Sequence, residues 1–151
     1  MNVYERTQQR LKTVFDLFDN VYVSFSGGKD SGVLLNLCYN YADEHGLLDK
    51  LTMYHLDYEA QYQMTTEYVT RTFLEQFPGI RKMWYCVPIK AQSACALGEP
   101  YWTPWDAAKK KLWVRAMPEN PYVVHEGNLD VPFRHGMVDY EFQDKLSRHF
   151  A

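Results

Sequence analysis

The sequence predicts an α/β fold with an open, mostly parallel sheet and helices on both faces. Runs of β-branched and aromatic residues bounded by turn residues are typical of buried strands, and three of them occur at 21–25, 51–57 and 81–88. Apolar residues at helical spacing follow the first two runs. Strands that alternate with helices of about 15 residues need crossover connections, which place parallel strands side by side.

Four helices are predicted from this apolar spacing. The first three end at residues that stop helices, which are Asp19-Asn20, Gly46 and Pro78-Gly79. The last one is predicted to pack back on the sheet through Val138, Phe142 and Leu146. The helices cover 3–18, 33–46, 61–77 and 137–150.

A single domain is expected, because 151 residues suffice for one core but not for two independent cores. The segment 89–136 is rich in Pro, Trp and turn residues, which predicts mostly irregular structure or a hairpin. A short helix is predicted within it, over 91–98.

Amino-acid composition and net charge exclude several classes of protein. Hydrophobic residues make up 46% of the chain and charged residues 23%, so long disorder, collagen-like repeats and a pure coiled coil are excluded. The net charge of −3 argues against binding duplex DNA by charge alone.

Residues 109–111 are a lysine run close to Trp102, Trp105 and Trp113. This group either stacks single-stranded bases or is a hydrophobic cluster under solvated lysines, and we favour the cluster.

Cysteine usage and hydropathy predict a cytoplasmic protein. The three cysteines form no CxxC pair, and their odd number argues against a disulfide framework and for a reducing compartment. No apolar run approaches 18 residues, and the first ten residues lack the apolar stretch of a signal peptide. We therefore expect no membrane partner.

The segment Ser26–Ser31, with the sequence SGGKDS, carries the predicted chemistry because it lies between a strand and the start of a helix. Unpaired N–H groups and the positive end of the helix dipole attract an anion there. Gly27 and Gly28 lack the Cβ atoms that would keep a phosphate from the backbone, and Lys29 adds a positive charge. Ser26 and Ser31 add hydroxyl donors, whereas Asp30 suits the helix start or a metal that accompanies the phosphates. The predicted ligand is a nucleotide pyrophosphate.

Two better-known phosphate loops do not fit. A Walker A loop needs glycine where this chain has Val23, and the dinucleotide fingerprint G-x-G-x-x-G is not matched by Gly27, Gly28 and Gly32. The segment instead resembles the SGGxDS signature of the PP-loop ATP pyrophosphatase superfamily. That resemblance implies one of two activities. The chain either binds ATP with Mg²⁺, cleaves between the α and β phosphates and transfers AMP, or binds an adenylyl sulfate such as phosphoadenosine phosphosulfate (PAPS). The resemblance also implies that Ser24 lies among the nucleotide-binding residues.

Lysine at the variable position is similar to the branch that includes the PAPS reductases. The run His55–Glu59 resembles the end of the second strand in PAPS-reductase-like proteins. Ligands of open parallel sheets lie beyond the carboxyl ends of the strands, so Asp57 and Glu59 are expected beside the loop 26–31. There they would bind ribose hydroxyls or Mg²⁺, or would only begin a solvated helix. Asp30 and Asp57 are the predicted metal ligands.

Three tryptophan-containing segments, Trp84–Pro88, Tyr101–Asp106 and Trp113–Pro118, resemble a subgroup of PAPS-reductase-like proteins of the immunoglobulin-binding regulator A type, found in bacteria and phages. Two departures matter. The C-terminal Glu-Cys-Gly-x-His segment of true PAPS reductases is missing, and Cys95 lies in mid-chain. A Gly-Ile-Arg type motif for the distal anion is also missing, so Arg115 and Arg134 are the candidates to replace it. A short version, a fragment or one partner of a larger assembly would each explain this.

Three hypotheses remain open. The first is an enzyme that transfers AMP from ATP, in sulfur metabolism or nucleic-acid modification, with Lys29, Asp30, Asp57 and Arg115 as catalytic residues. The second is a nucleotide-binding regulatory module without turnover, which a second copy or a partner protein completes. The third, a true PAPS reductase that uses Cys95, is disfavoured because the catalytic segment is missing.

Overall fold

A four-stranded sheet organises the fold, and its strands lie side by side in the order β1 (Val21–Ser24), β2 (Leu51–Leu56), β3 (Arg81–Cys86) and β6 (Val123–His125). We describe it from a computed structural model, which covers residues 2–93 and 97–150. Short 3₁₀ helices lie at Leu48–Lys50 and Ala107–Leu112. The strands are β1 (Val21–Ser24), β2 (Leu51–Leu56), β3 (Arg81–Cys86), β4 (Ala91–Gln92), β5 (Tyr101–Trp102) and β6 (Val123–His125). The helices are α1 (Val3–Leu17), α2 (Lys29–Glu44), α3 (Gln63–Glu75) and α4 (Asp139–Phe150).

The predicted α/β class is confirmed. β1 pairs in parallel with β2, from Val21 opposite Leu51 to Ser24 opposite Tyr54, and β3 pairs in parallel with β6. All six residues of β2 are buried, as expected for a parallel strand that is flanked by helices. No helix within residues 2–93 and 97–150 is both long and apolar enough to cross a bilayer.

The chain divides into two compact units. The first comprises Met1–His55, Gln63–Met83 and Phe150–Ala151. It contains β1, the loop 26–31, and helices α1, α2 and α3. Phe15 of α1 stacks on Tyr41 of α2, with 5.3 Å between the ring centroids. The carbonyl of Tyr54 accepts a hydrogen bond from the amide of Phe25 (2.8 Å), so backbone pairing between the ends of β1 and β2 continues to the start of the loop.

The second unit comprises Leu56–Tyr62 and Trp84–His149. Its end of β3 pairs with β6, and the antiparallel strands β4 and β5 form a hairpin. Phe142 of α4 packs edge-on against Tyr85 of β3, with ring centroids 5.5 Å apart. The last helix therefore packs on the sheet through Phe142, as predicted.

Two predictions for the segment 89–136 were incomplete. Strand β6 lies inside it, and its three residues are too few to show an alternating pattern before the turn that follows. Ala91 and Gln92 form strand β4 instead of the start of a short helix. The remainder of that predicted helix includes residues 94–96, which lie outside the described residues.

Candidate functional site

The loop 26–31 connects the end of β1 to the start of α2 in the first unit. Its serines hold it in shape, since the hydroxyl oxygens of Ser26 and Ser31 are 2.9 Å apart and Ser31 donates to the carbonyl of Gly28 (3.0 Å). The amide of Gly28 donates to Ser26 Oγ at 3.2 Å. Gly28 is the N-cap of α2 and offers no side-chain cap, so the first amides of the helix remain open to an anion.

The two glycines of the loop have different surroundings. Gly27 has φ +83°, and a Cβ atom there would lie 2.8 Å from Val69 Cγ2 and 2.9 Å from Thr65 Cγ2, both on α3. Gly28 has an ordinary φ of −85°, and a Cβ atom there would meet only Ser26 Oγ, at 3.3 Å. Packing against α3 therefore explains glycine at 27, whereas nothing comparable in this unit requires glycine at 28.

Lys29 and Asp30 project from the first turn of α2 and are exposed. Neither side chain has a hydrogen bond or an ion pair within the described part of the chain. Ser24 is exposed at the end of β1, opposite Tyr54 in the register. The structure thus places Ser24, Ser26, Gly27, Gly28, Lys29, Asp30 and Ser31 in one continuous stretch of the first unit.

Asp57 is fully buried in the second unit and is saturated with donors from its own chain. Its Oδ1 accepts from the amide of Glu59 (2.8 Å), and its Oδ2 accepts from Trp84 Nε1 (2.8 Å). Arg115 Nη2 reaches both oxygens, at 2.5 and 2.7 Å. These contacts leave Asp57 little capacity for a ribose hydroxyl or a metal ion.

Glu59 is also buried, with 4% of its surface exposed, and it adopts the left-handed conformation at φ +65°. Its two carboxylate oxygens accept from the amides of Trp105 (2.8 Å) and Val114 (2.9 Å). By accepting a hydrogen bond from each of these two backbone N–H groups, the carboxylate holds both ends of the segment 105–114. The expectation that a solvated helix begins at Asp57 and Glu59 is therefore wrong.

Arg115 faces inward. Besides its bonds to Asp57, its Nε donates to the carbonyl of Glu59 at 2.9 Å, and its guanidinium carbon lies 4.9 Å from the centre of the Trp105 ring. Arg134, the other predicted replacement for the distal anion group, is exposed and pairs with Glu141 at 3.3 Å. We name the set Asp57, Glu59, Trp84, Trp105 and Arg115 the buried acidic network.

Sequence reasoning missed the two tryptophans of this network. Trp84 donates to Asp57 Oδ2, and Trp105 Nε1 donates to the Asp57 carbonyl at 2.8 Å. Trp105 also packs edge-on against Trp113, with centroids 5.2 Å apart. This packing agrees with the hydrophobic-cluster interpretation of the tryptophans. No spacing in the sequence could have shown that their N–H groups satisfy one carboxylate and its backbone.

The loop belongs to the first unit, and the buried acidic network belongs to the second. That Asp57 and Glu59 lie beside the loop stays a prediction. Among the described residues, no group of three or more His, Cys, Asp or Glu side chains is placed to hold a metal ion. Asp30, which is exposed and free, suits a magnesium ion that is held chiefly by nucleotide phosphates. Asp57 does not suit that ion, because an arginine already occupies both of its oxygens.

The two cysteines that the structure describes are buried, free thiols. Burial raises the pKa of Cys38 to about 11. Burial, and then the nearby charge of Asp57, also raise the pKa of Cys86. Cys95, the thiol that the reductase hypothesis requires, lies outside the described residues.

We expect Cys38 and Cys86 to be unreactive in the folded protein, because a thiol of pKa about 11 is only about one part in a thousand thiolate at pH 8. A Cys95→Ser variant treated with an aromatic disulfide reagent at pH 8 should release no colour until urea is added. Colour release within seconds from the folded variant would contradict this assignment.

Comparison with known proteins places the chain in a family. A family model described as the phosphoadenosine phosphosulfate reductase domain matches residues 20–105, which include the loop, Asp57 and Glu59. The uncharacterized protein YbdN of Escherichia coli (strain K12) is 30% identical over 153 residues, an alignment that covers 100% of this chain and 36% of YbdN. This chain therefore spans little more than a third of that relative's length. No solved structure matches. The chain belongs to the phosphoadenosine phosphosulfate reductase domain family.

Proposed function

We propose that this chain binds ATP, or a related adenylyl nucleotide such as PAPS, with its phosphates on the loop 26–31. When the nucleotide is ATP, we further propose that the chain cleaves between the α and β phosphates, transfers AMP to an acceptor and releases pyrophosphate. Membership of the PAPS reductase domain family supports a PP-loop nucleotide-binding protein. The acceptor class, in sulfur metabolism or nucleic-acid modification, is part of the proposal.

The observation that supports this proposal most directly is a glycine at position 28 that has no steric explanation within the chain. Its φ is ordinary, and a Cβ atom would meet only the hydroxyl of Ser26 at 3.3 Å, which would have to shift by only a few tenths of an ångström. The free protein therefore gives no steric reason for glycine at this position. A phosphate that approaches the backbone amides would supply one, because it must pass where a Cβ atom would stand.

In this proposal the chain acts by positioning and by neutralising charge. The open amides at the start of α2 donate hydrogen bonds to the phosphate oxygens, and the unpaired ammonium group of Lys29 stabilises the leaving pyrophosphate. The hydroxyls of Ser26 and Ser31 keep the loop in its binding shape. Asp30 would hold the accompanying Mg²⁺, which when bound neutralises part of the phosphate charge.

Replacing each glycine by alanine tests the proposal. Gly28→Ala should lower the unfolding free energy by no more than about 1 kcal/mol, because alanine is a poorer N-cap than glycine, and should weaken ATP binding by about tenfold or more, because the methyl group blocks the phosphate. Gly27→Ala is the matched variant with the opposite profile. We expect it to lower the unfolding free energy by about 2 kcal/mol, because the new Cβ atom would overlap Val69 and Thr65 in a left-handed backbone.

Calorimetric titration with ATP and with PAPS, each with and without Mg²⁺, measures the affinities, and urea unfolding measures the stabilities. A Gly28→Ala variant that binds both nucleotides as tightly as the wild type would remove the loop from the proposed site. A Gly28→Ala variant that unfolds as easily as Gly27→Ala would show that its glycine is needed for folding.

A second candidate function is nucleotide binding without turnover, in a module that a second copy or a partner protein completes. The engagement of Asp57 and Glu59 within the buried acidic network favours it, since both carboxylates that the sequence predicts for the ligand are already bonded. Pyrophosphate release from ATP separates the two candidates. Binding with release in the presence of an acceptor supports the enzyme, and binding without release supports the module.

A further inference from the structure

A cavity of about 530 Å³ lies beside the end of β6 in the second unit. Its walls include Lys110, Trp113, Met117, Pro118, Asn120 and His125. A neighbouring cavity of about 300 Å³ shares Lys110, Trp113, Met117 and His125 with it, so the two adjoin. The first cavity falls in the size range of sites for small organic ligands.

His125 is held in a defined orientation at this cavity. Its Nδ1 accepts a hydrogen bond from the amide of Gly127 at 3.0 Å, which places the proton of the neutral ring on Nε2. Asn128 fixes the turn, because its Oδ1 accepts from the amide of His125 (2.7 Å) and its Nδ2 donates to the carbonyl of Val123 (3.1 Å). A Cβ atom at Gly127 would lie 2.9 Å from His125 Cε1. The turn therefore needs glycine at 127 in order to keep the imidazole in place.

The polar groups around the cavity are mainly donors. Lys110 provides an ammonium group, and His125 provides its Nε2–H. Asn120 uses its Oδ1 to accept from the amide of Tyr122 (3.0 Å), which leaves its NH₂ group as a donor. Glu119 is the one carboxylate among the lining residues, and it would repel an anion from its own side of the cavity. This set of groups suits a ligand with a negatively charged group.

The remaining walls are apolar and flat. Trp113 presents an indole ring, and the ammonium group of Lys110 lies 5.6 Å from the centre of that ring. Met117 and Pro118 add apolar surface beside it. A planar ring fits such walls, because stacking and sulfur–aromatic contacts favour flat ligands.

We propose that this cavity binds a small organic anion, a flat ring that carries a carboxylate or a phosphate group. The charged group accepts hydrogen bonds from Lys110 and His125, and the ring packs against Trp113, Met117 and Pro118. This site is made entirely from the second unit, uses no residue of the loop 26–31, and goes beyond the nucleotide binding proposed above.

Calorimetry and NMR with chosen probes test it. Indole-3-carboxylate and AMP represent the two forms of the anion, and indole-3-carboxamide and adenosine are their neutral counterparts. AMP is also titrated into Lys29→Ala, so that binding at the loop is separated from binding at the cavity. We expect one or both anions to bind and to shift the indole N–H resonance of Trp113, with the neutral counterparts at least about tenfold weaker.

Two lysines of the same run provide matched variants. Lys110→Met removes the ammonium group but keeps most of the apolar stem, and it should weaken anion binding by about tenfold or more. Lys111→Met makes the same change at a residue that lines neither cavity and should bind like the wild type. Gly127→Ala, which displaces the imidazole, should weaken binding without any loss of charge.

The proposal is overturned if neither anion shifts Trp113 at millimolar concentrations. It is equally overturned if the neutral probes bind as well as the anions, or if Lys110→Met and Lys111→Met bind alike. Preference for indole-3-carboxylate over AMP identifies a carboxylate ligand, and the reverse preference identifies a phosphate ligand. None of these results depends on ATP binding at the loop.

Discussion

Replacing Asp57 by alanine is expected to lower the free energy of unfolding by about 3 kcal/mol, because it leaves the Nη2 group of Arg115 and the indole N–H of Trp84 without their acceptor. Breaking a buried ion pair costs about 3–5 kcal/mol. We expect the lower end of this range, since the Arg115 side chain retains 21% of its exposure and water can partly solvate it.

Urea unfolding, followed by tryptophan fluorescence, measures this change. Asp144→Ala is the control, because Asp144 pairs with Arg148 on the exposed side of α4 and its loss should leave the unfolding midpoint unchanged. Combining Asp57→Ala with Arg115→Met should recover part of the loss, since the double variant no longer holds an unpaired guanidinium. If Asp57→Ala is no less stable than Asp144→Ala, the buried acidic network does not anchor the second unit.

Replacing Lys29 by alanine is expected to weaken ATP binding by about 10-fold to 150-fold and to abolish turnover, with no loss of stability. A hydrogen bond from a charged group contributes about 1.5–3 kcal/mol, which corresponds to this range of affinities. Stability is unaffected because the side chain is exposed and has no protein partner in the described part of the chain. The substitution should therefore change only ATP affinity and turnover, and not the free energy of unfolding.

Calorimetry with ATP, a pyrophosphate-release assay and thermal unfolding give the three readouts. Lys111→Ala is the matched control, an exposed lysine outside the loop that should change none of them. A Lys29→Ala variant with unchanged ATP affinity would show that this ammonium group does not contact phosphate, and the proposed role of the loop would fail with it.

Local sequence was sufficient for the first half of the fold. The spacing of apolar residues predicts the alternation of buried strands and amphipathic helices up to Cys86, and this spacing depends only on residues a few positions apart. The segment SGGKDS was recognisable for the same reason, since a loop between a strand and a helix N-terminus is a local feature. Strand β6 was not predicted, because its three residues become a strand only by pairing with the end of β3.

The roles of the acidic residues depended on contacts that no local pattern records. Asp57 and Glu59 were predicted to contact a ligand because they follow a strand, where ligands of open sheets bind. Arg115, Trp105 and Val114 lie 46 to 58 residues away in the chain, yet their donors occupy those carboxylates. A buried carboxylate must be matched by donors, and only the folded chain brings distant donors within reach.

Gly27 and Gly28 show the same difference between what local sequence predicts and what only the folded chain decides. By itself, the sequence determined that a flexible, open turn precedes α2, because Gly27 and Gly28 follow a strand and introduce a helix. Only the tertiary structure decided that α3 packs against Gly27 and leaves Gly28 clear. The physical reason is that torsional freedom belongs to a residue, whereas the space around it is set by neighbours from other elements.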